Sequence, residues 1–146
     1  MKIQTSRFGE VEIDESTCFH MVSPILGYES EKTYILIEHS DKSKFKWLQS
    51  IKTPELAFAV TSADAFDIDY SFELPESTQE TLDINDAEDV LAFNIVVIPH
   101  ENPRASTINL LAPLVFNINN RKGAQIILTG TDFKVDYPLF EKEAAC

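Results

Sequence analysis

At 146 residues with 44% hydrophobic side chains, the chain is long enough for one domain with a real core and too apolar to be disordered by composition. It has no run of 18 apolar residues to cross a membrane as a helix, and Met1-Lys2-Ile3-Gln4-Thr5 lacks the apolar stretch of a secretory signal, so a cytoplasmic protein is expected. The formal charge of −12, from 24 acidic and 12 basic side chains, disfavours direct binding to nucleic acid or membrane and suits a basic partner, although acidic surfaces also simply aid solubility.

The chain opens as a hairpin: residues 2–5, a turn at Arg7-Phe8-Gly9, then residues 10–13. There Val11 and Ile13 alternate with Glu10 and Glu12, so one face is buried and the other wet. An apolar stretch at 18–22 leads into a loop at 24–27, and residues 34–38 form a compact strand. Between 42 and 50, Phe45, Trp47 and Leu48 recur too irregularly for a strand. One or two helical turns are predicted there, with Trp47 anchored on the core; an exposed indole serving a partner is the alternative.

Residues 56–62 are a continuous apolar run of the kind found inside a sheet. Asp64, Asp67 and Asp69 then come close together, followed by a short strand at 71–74 and an acidic stretch at 75–89. Within that stretch residues 81–84 are expected to pair briefly, and Asn85-Asp86 to cap a short turn through Val90. A strand at 92–98 stops at Pro99, and 100–104 form a loop.

Residues 105–128 form the expected centre of the fold. Strands at 107–111 and 114–118 are separated by Pro113, which lacks an N–H and cannot donate to a ladder. The run Asn119-Asn120-Arg121-Lys122-Gly123 turns the chain back, since Asn and Gly tolerate positive φ. A third strand at 125–129 completes a β-meander. Asn109 and Asn117, polar among apolar neighbours, are expected to be hydrogen-bonded and to set register. A short edge strand at 133–136, an apolar hook at Tyr137-Pro138-Leu139-Phe140 and a frayed tail at 141–146 finish the chain. The fold class predicted is all-β and mostly antiparallel: a small β-barrel or barrel-like sandwich with one or two short helical turns, in a single domain over 1–140.

Catalytic and metal motifs are weak. The Asp64/Asp67/Asp69 loop lacks the Gly and terminal Glu of a calcium site. Cys18 and His20 share a strand face, but zinc needs further ligands, and a Cys–His dyad needs an orienting group and an oxyanion donor. Cys18 and Cys146 are expected to be reduced thiols. No cofactor and no enzymatic activity are predicted; a small-ligand or metal-binding barrel, or an enzyme built on these residues, is the competing class. Arg104, Arg121 and Lys122 interrupt the acidic chain, either as partner contacts or as a soluble turn that blunts a sheet edge.

Several motifs occur in a recognisable order: Trp47-Leu48-Gln49-Ser50, Pro54-Glu55-Leu56-Ala57-Phe58, and Phe66, Tyr70 and Glu73-Leu74. They continue with Thr107-Ile108-Asn109-Leu110-Leu111-Ala112-Pro113, Asn117, Arg121-Lys122-Gly123, Gln125-Ile126-Ile127-Leu128 and Tyr137-Pro138-Leu139. This ordered set resembles the flagellar assembly factor FliW family. One departure is Ser23-Pro24, which replaces the leading Gly of the family's G-L-x-G-F-E loop. The resemblance implies a non-enzymatic, barrel-like cytoplasmic protein that acts as a chaperone for flagellin. It also implies antagonism of the RNA-binding translational regulator CsrA, with the two partners competing: secretion of flagellin frees the factor to sequester CsrA and relieve repression of flagellin synthesis. Trp47, Asn109, Pro113 and Asn117 are expected to be structural. The tip Asn119, Asn120, Arg121, Lys122 and the hook residues Tyr137, Leu139, Phe140 are the candidate protein contacts.

Overall fold

Period-two alternation closes the centre of this protein into a barrel. The computed structural model describes residues 1–38 and 43–140; His39, Lys42, Cys146 and the predicted tail at 141–146 fall outside the described residues. The strands are β1 (Lys2–Thr5), β2 (Gly9–Glu12), β3 (Phe19–Ser23), β4 (Thr33–Ile37), β5 (Lys46–Ser50), β6 (Ala57–Thr61), β7 (Val90–Val97), β8 (Thr107–Ile108), β9 (Leu114–Asn117), β10 (Lys122–Gln125) and β11 (Tyr137–Pro138). Seven of them run β7-β6-β5-β4-β3-β10-β9 and return to β7. Closure works because β7 is long: Val90–Phe93 pair with β9 and Asn94–Val96 with β6. Every pairing is antiparallel except β3 with β10. The fold is the all-β, mostly antiparallel barrel expected from strand spacing.

Side chains fill the barrel. Phe19, Met21, Tyr34, Leu48, Val60, Phe93, Leu114 and Phe116 are all buried and form one cluster. Phe116 is central, with ring centroids 4.4 Å from Phe19 and 6.4 Å from Phe93. Its ring occupies the space above Gly123, where a Cβ would meet Phe116 Cδ1 and lie 2.6 Å from Cε1 and 3.0 Å from Met21 Sδ. Gly123 is thus not a turn glycine but a strand residue that makes room. Gly123→Ala is expected to lose about 1–3 kcal/mol by overpacking, read by urea unfolding. An unchanged midpoint would show that the Phe116 ring has another place to go.

The outer walls are covered in three places. The β1–β2 hairpin lays Ile3 and Ile13 over Ile35 and Cys18. Ile108, Leu110 and Leu139 cover Ala59 and Val96, with Trp47 and Phe66 half-buried alongside. Leu82 covers Val115, Ala124, Ile126 and Leu128, flanked by Tyr70, Phe72 and Leu74.

This double-sided burial explains why 46–50 is a strand and not the expected helical turns. Leu48 points into the barrel while Trp47 and Gln49 lie under outer cover, so the alternation is hidden. Trp47 is half-buried, with the Arg7 guanidinium 3.9 Å from its ring and Phe8 edge-on at 6.4 Å. It is neither a buried anchor of a helical turn nor a free indole.

Other boundaries move for local reasons. Residues 71–74 form no strand, and where 81–84 was expected to pair the chain instead ends a short helix, α1 (Glu76–Thr81). The strand expected at 107–111 stops at Ile108 because Asn109 Oδ1 accepts from the N–H groups of Leu111 (3.1 Å) and Ala112 (2.9 Å), turning the chain before the fully buried Pro113. Asn109 therefore shapes a turn and does not set register. The third meander strand is Lys122–Gln125 where 125–129 was expected, since the left-handed residue is Arg121 (φ 65°), not a glycine. The edge strand expected at 133–136 forms later, as Tyr137–Pro138 against β8. Among the described residues no helix is long and apolar enough to cross a membrane.

Candidate functional site

The turn between β9 and β10 carries the predicted tip, and most of it is tied down. Asn117, 2% exposed, donates through Nδ2 to the carbonyls of Leu82 (2.8 Å) and Asp83 (3.2 Å), and its Oδ1 accepts from the Asn119 N–H. Asn120 donates to the same Leu82 carbonyl at 3.0 Å. Asn117 thus pins a neighbouring segment to the barrel wall, a tertiary role in place of the expected register role. Arg121 lies over the Phe19 ring at 3.9 Å and donates to the Thr17 carbonyl. Lys122 pairs with Asp83 at 2.9 Å. The tip is more than a soluble turn: Arg121 covers one end of the barrel core, and Asn119 is the residue whose side chain the fold uses least.

The hook lies elsewhere. Tyr137 pairs with Ile108, which pairs with Val96, whereas Asn117 pairs with Val90. Six residues of strand, about 20 Å, separate the two groups along β7. The structure does not bring tip and hook together. Leu139 is only 5% exposed and Phe140 packs edge-on against Phe66 at 5.8 Å, so these two hold the hook in place. Tyr137, 40% exposed, and the exposed Pro138 are its accessible side chains.

A feature that no motif marks adjoins the tip. Residues 53–103 contain twelve acidic side chains and no lysine or arginine, while the rest of the chain carries twelve of each sign. A charge equal to the entire net charge therefore resides in residues 53–103, ten of its twelve carboxylates between β6 and β7. Part of that segment packs on the outside of β9 and β10, held by Leu82. Beside it a groove of about 400 Å³ has Phe72, Leu74, Ile84 and Val90 as its half-buried floor and Asp86 at its rim. Glu73, Glu76, Glu80 and Glu88 are exposed nearby in sequence and Asp89 is half-buried, and among the described residues only Asp83 of this stretch has an ion-pair partner. Counting charge by segment, instead of over the whole chain, would have revealed it.

The catalytic alternatives find little support in the geometry. Asp64, Asp67 and Asp69 are all exposed; Asp64 lies on a 3₁₀ turn capped by Asp67 at φ 57°, and Asp69 follows it. Among the described residues no three His, Cys, Asp or Glu side chains converge as metal ligands. Cys18 is buried, and burial pushes its thiol pKa up, away from a reactive thiolate. In the departing loop Ile25 enters the core, Gly27 takes φ 91°, and Leu26 N–H donates to Gln125 Oε1 at 2.8 Å.

Residues 2–139 match the family model described as FliW protein. A flagellar assembly factor FliW from Caldicellulosiruptor saccharolyticus is 36% identical over 139 residues, 95% of this chain and 90% of the relative. Another, from Alkaliphilus metalliredigens, is 37% identical over 143 residues, 97% of this chain and 88% of the relative. A solved structure described as the crystal structure of the flagellar assembly factor FliW superposes with a TM-score of 0.90 at 32% identity, covering 98% of this chain and 99% of that one.

Proposed function

This chain belongs to the FliW family of flagellar assembly factors, and on that premise we propose that it binds flagellin in the cytoplasm and antagonises CsrA by partner switching, without catalysis. The observation that carries the CsrA half is the segregation of charge. A regulator with a basic RNA-binding surface is attracted by a segment with twelve carboxylates and no cation. The groove floored by Phe72, Leu74, Ile84 and Val90 supplies apolar area beside those charges. Asn119 and Lys122 border the same segment through Asn117 and Asp83. Overlapping footprints are the direct route to mutual exclusion, and we assign both partners to this face; Tyr137 belongs to a separate patch.

Calorimetry and stopped-flow kinetics with the cognate flagellin and CsrA test the reading. Flagellin and CsrA should each displace the other. Association with CsrA should slow as ionic strength rises, because exposed charges are screened beyond about 8 Å at physiological salt. Converting Glu76, Glu80 and Asp86 to glutamine should reduce that salt dependence. Simultaneous binding of both partners would rule out switching, and rates indifferent to salt would remove the electrostatic argument.

A further inference from the structure

A cavity of about 460 Å³ opens on the other side of the barrel, between the start of β3, the start of β4 and the turn after β5. Its size falls in the range of small-molecule sites. Cys18, Ile51 and the Met1 side chain contribute apolar lining; Lys32, Lys52, Thr33 and His20 contribute polar groups. Thr33 Oγ1 lies 3.4 Å from His20 Nδ1. The one lining carboxylate is Glu15, and the Met1 amine is already engaged, donating to the Ile13 carbonyl at 3.2 Å and facing Glu12 at 3.9 Å.

The lysines here differ from the others. Lys2, Lys46 and Lys122 pair with Glu10, Glu38 and Asp83, and Lys44 lies over the Phe66 ring. Among the described lysines, Lys32, Lys52 and Lys134 have no carboxylate within ion-pair distance and no ring partner. Two of these three line the same concavity. Lys52 helps to lower the pKa of Glu31, but that carboxylate is held by the Ser50 and Thr53 hydroxyls at 2.5 and 2.6 Å. In a chain of charge −12, two unpaired ammonium groups over an apolar floor form a local exception to the surface field.

We propose that this cavity binds a carboxylate carrying a short apolar chain, with the carboxylate between Lys32 and Lys52 and the chain against Cys18 and Ile51. The same chemistry can arrive as a free aliphatic acid or as the C-terminal residue of a protein. The proposal is independent of the acidic face.

The test is amide-resonance titration of the full chain with sodium hexanoate, 1-hexanol and sodium phosphate. Hexanoate should shift the signals of Cys18, His20, Thr33, Ile51 and Lys52 saturably. Lys32→Met with Lys52→Met should weaken it by about tenfold or more, as should replacing the acid by the alcohol. A short leucine-terminated peptide that moves the same signals, and loses the effect on C-terminal amidation, assigns the source to a protein terminus. Hexanoate binding without peptide binding assigns it to a free acid. No saturable shift at these residues, undiminished binding by the double variant, or phosphate acting as well as hexanoate would each overturn the assignment. The substituted lysines are exposed, so an unchanged remainder of the spectrum establishes that the variant is folded.

Discussion

Leu82→Ala is expected to destabilise the protein by about 2–5 kcal/mol, the range for emptying a buried leucine site. The side chain is fully buried against Val115, Ala124, Ile126 and Leu128. The backbone at the same residue accepts from both Asn117 and Asn120. One residue thus pins the acidic segment through its side chain and its carbonyl together. That segment needs pinning: α1 is six residues long, too short to persist alone, and its exposed carboxylates repel one another. Urea unfolding of Leu82→Ala beside Leu82→Met, which conserves volume, separates lost packing from altered shape. Added salt should restore part of the stability by screening the repulsion. A loss below about 1 kcal/mol would mean that the segment is held by something other than this peg. If the CsrA reading holds, the loosened segment should also bind that partner more weakly.

The barrel was legible in the sequence because its defining signal is local. Phe19 and Met21 on β3, or Val11 and Ile13 beside β2, alternate with exposed residues, and such a period survives in the linear chain. The errors fall where that signal is masked or where a distant contact decides. At β5, Leu48 is buried inside and Gln49 outside, which removes the period and imitated a helical turn. At Gly123 the sequence showed the end of a five-residue turn, yet the residue's reason for being glycine is the Phe116 ring seven positions earlier in the chain. Asn109 and Asn117 were recognised as structural polar groups, but their partners, the Leu111 and Ala112 amides and the Leu82 and Asp83 carbonyls, are set by the folded chain. The anchoring of the tip was hidden for a related reason. Arg121 has an unpaired look in sequence, and only the approach of β3 shows that it covers Phe19 and reaches Thr17. The acidic face was the reverse case, written openly in residues 53–103 and lost by summing charge over the whole chain.

Gln49→Glu should convert a silent position into a pH-dependent one. Gln49 is fully buried, and its Nε2 lies 3.0, 3.4, 3.2 and 3.1 Å from the carbonyl oxygens of Ser50, Thr53, Pro54 and Leu56. Four acceptors around one nitrogen fix the orientation of the amide, since the opposite flip would set oxygen against oxygen. This side chain organises the turn between β5 and β6, whose Pro54 carbonyl also accepts from Ser6 N–H at 2.8 Å and so steadies the first hairpin. A glutamate has the same shape but, when ionised, no proton to offer. In the folded state it must stay protonated, so its pKa rises above the unfolded value of about 4.3. Below that value both states hold the proton, and the cost is limited to hydrogen bonds that a single O–H cannot replace. Above it the unfolded chain ionises while the folded chain does not, and stability falls by about 1.4 kcal/mol per pH unit up to the folded pKa. Up to about 3–4 kcal/mol is therefore lost between pH 4.3 and 7, a large share of the 5–15 kcal/mol typical of a domain. Unfolding free energies of the variant, taken relative to the unsubstituted chain at each pH, remove the opposite trend expected of Glu31. That carboxyl is held below its ordinary pKa by Ser50 and Thr53, so its contribution is present at neutral pH and lost on acidification. A difference that grows as pH rises identifies the carbonyl ring around residue 49 as closed to water. A difference that stays constant would mean that water reaches the introduced carboxylate, and that the turn rests on its backbone hydrogen bonds alone.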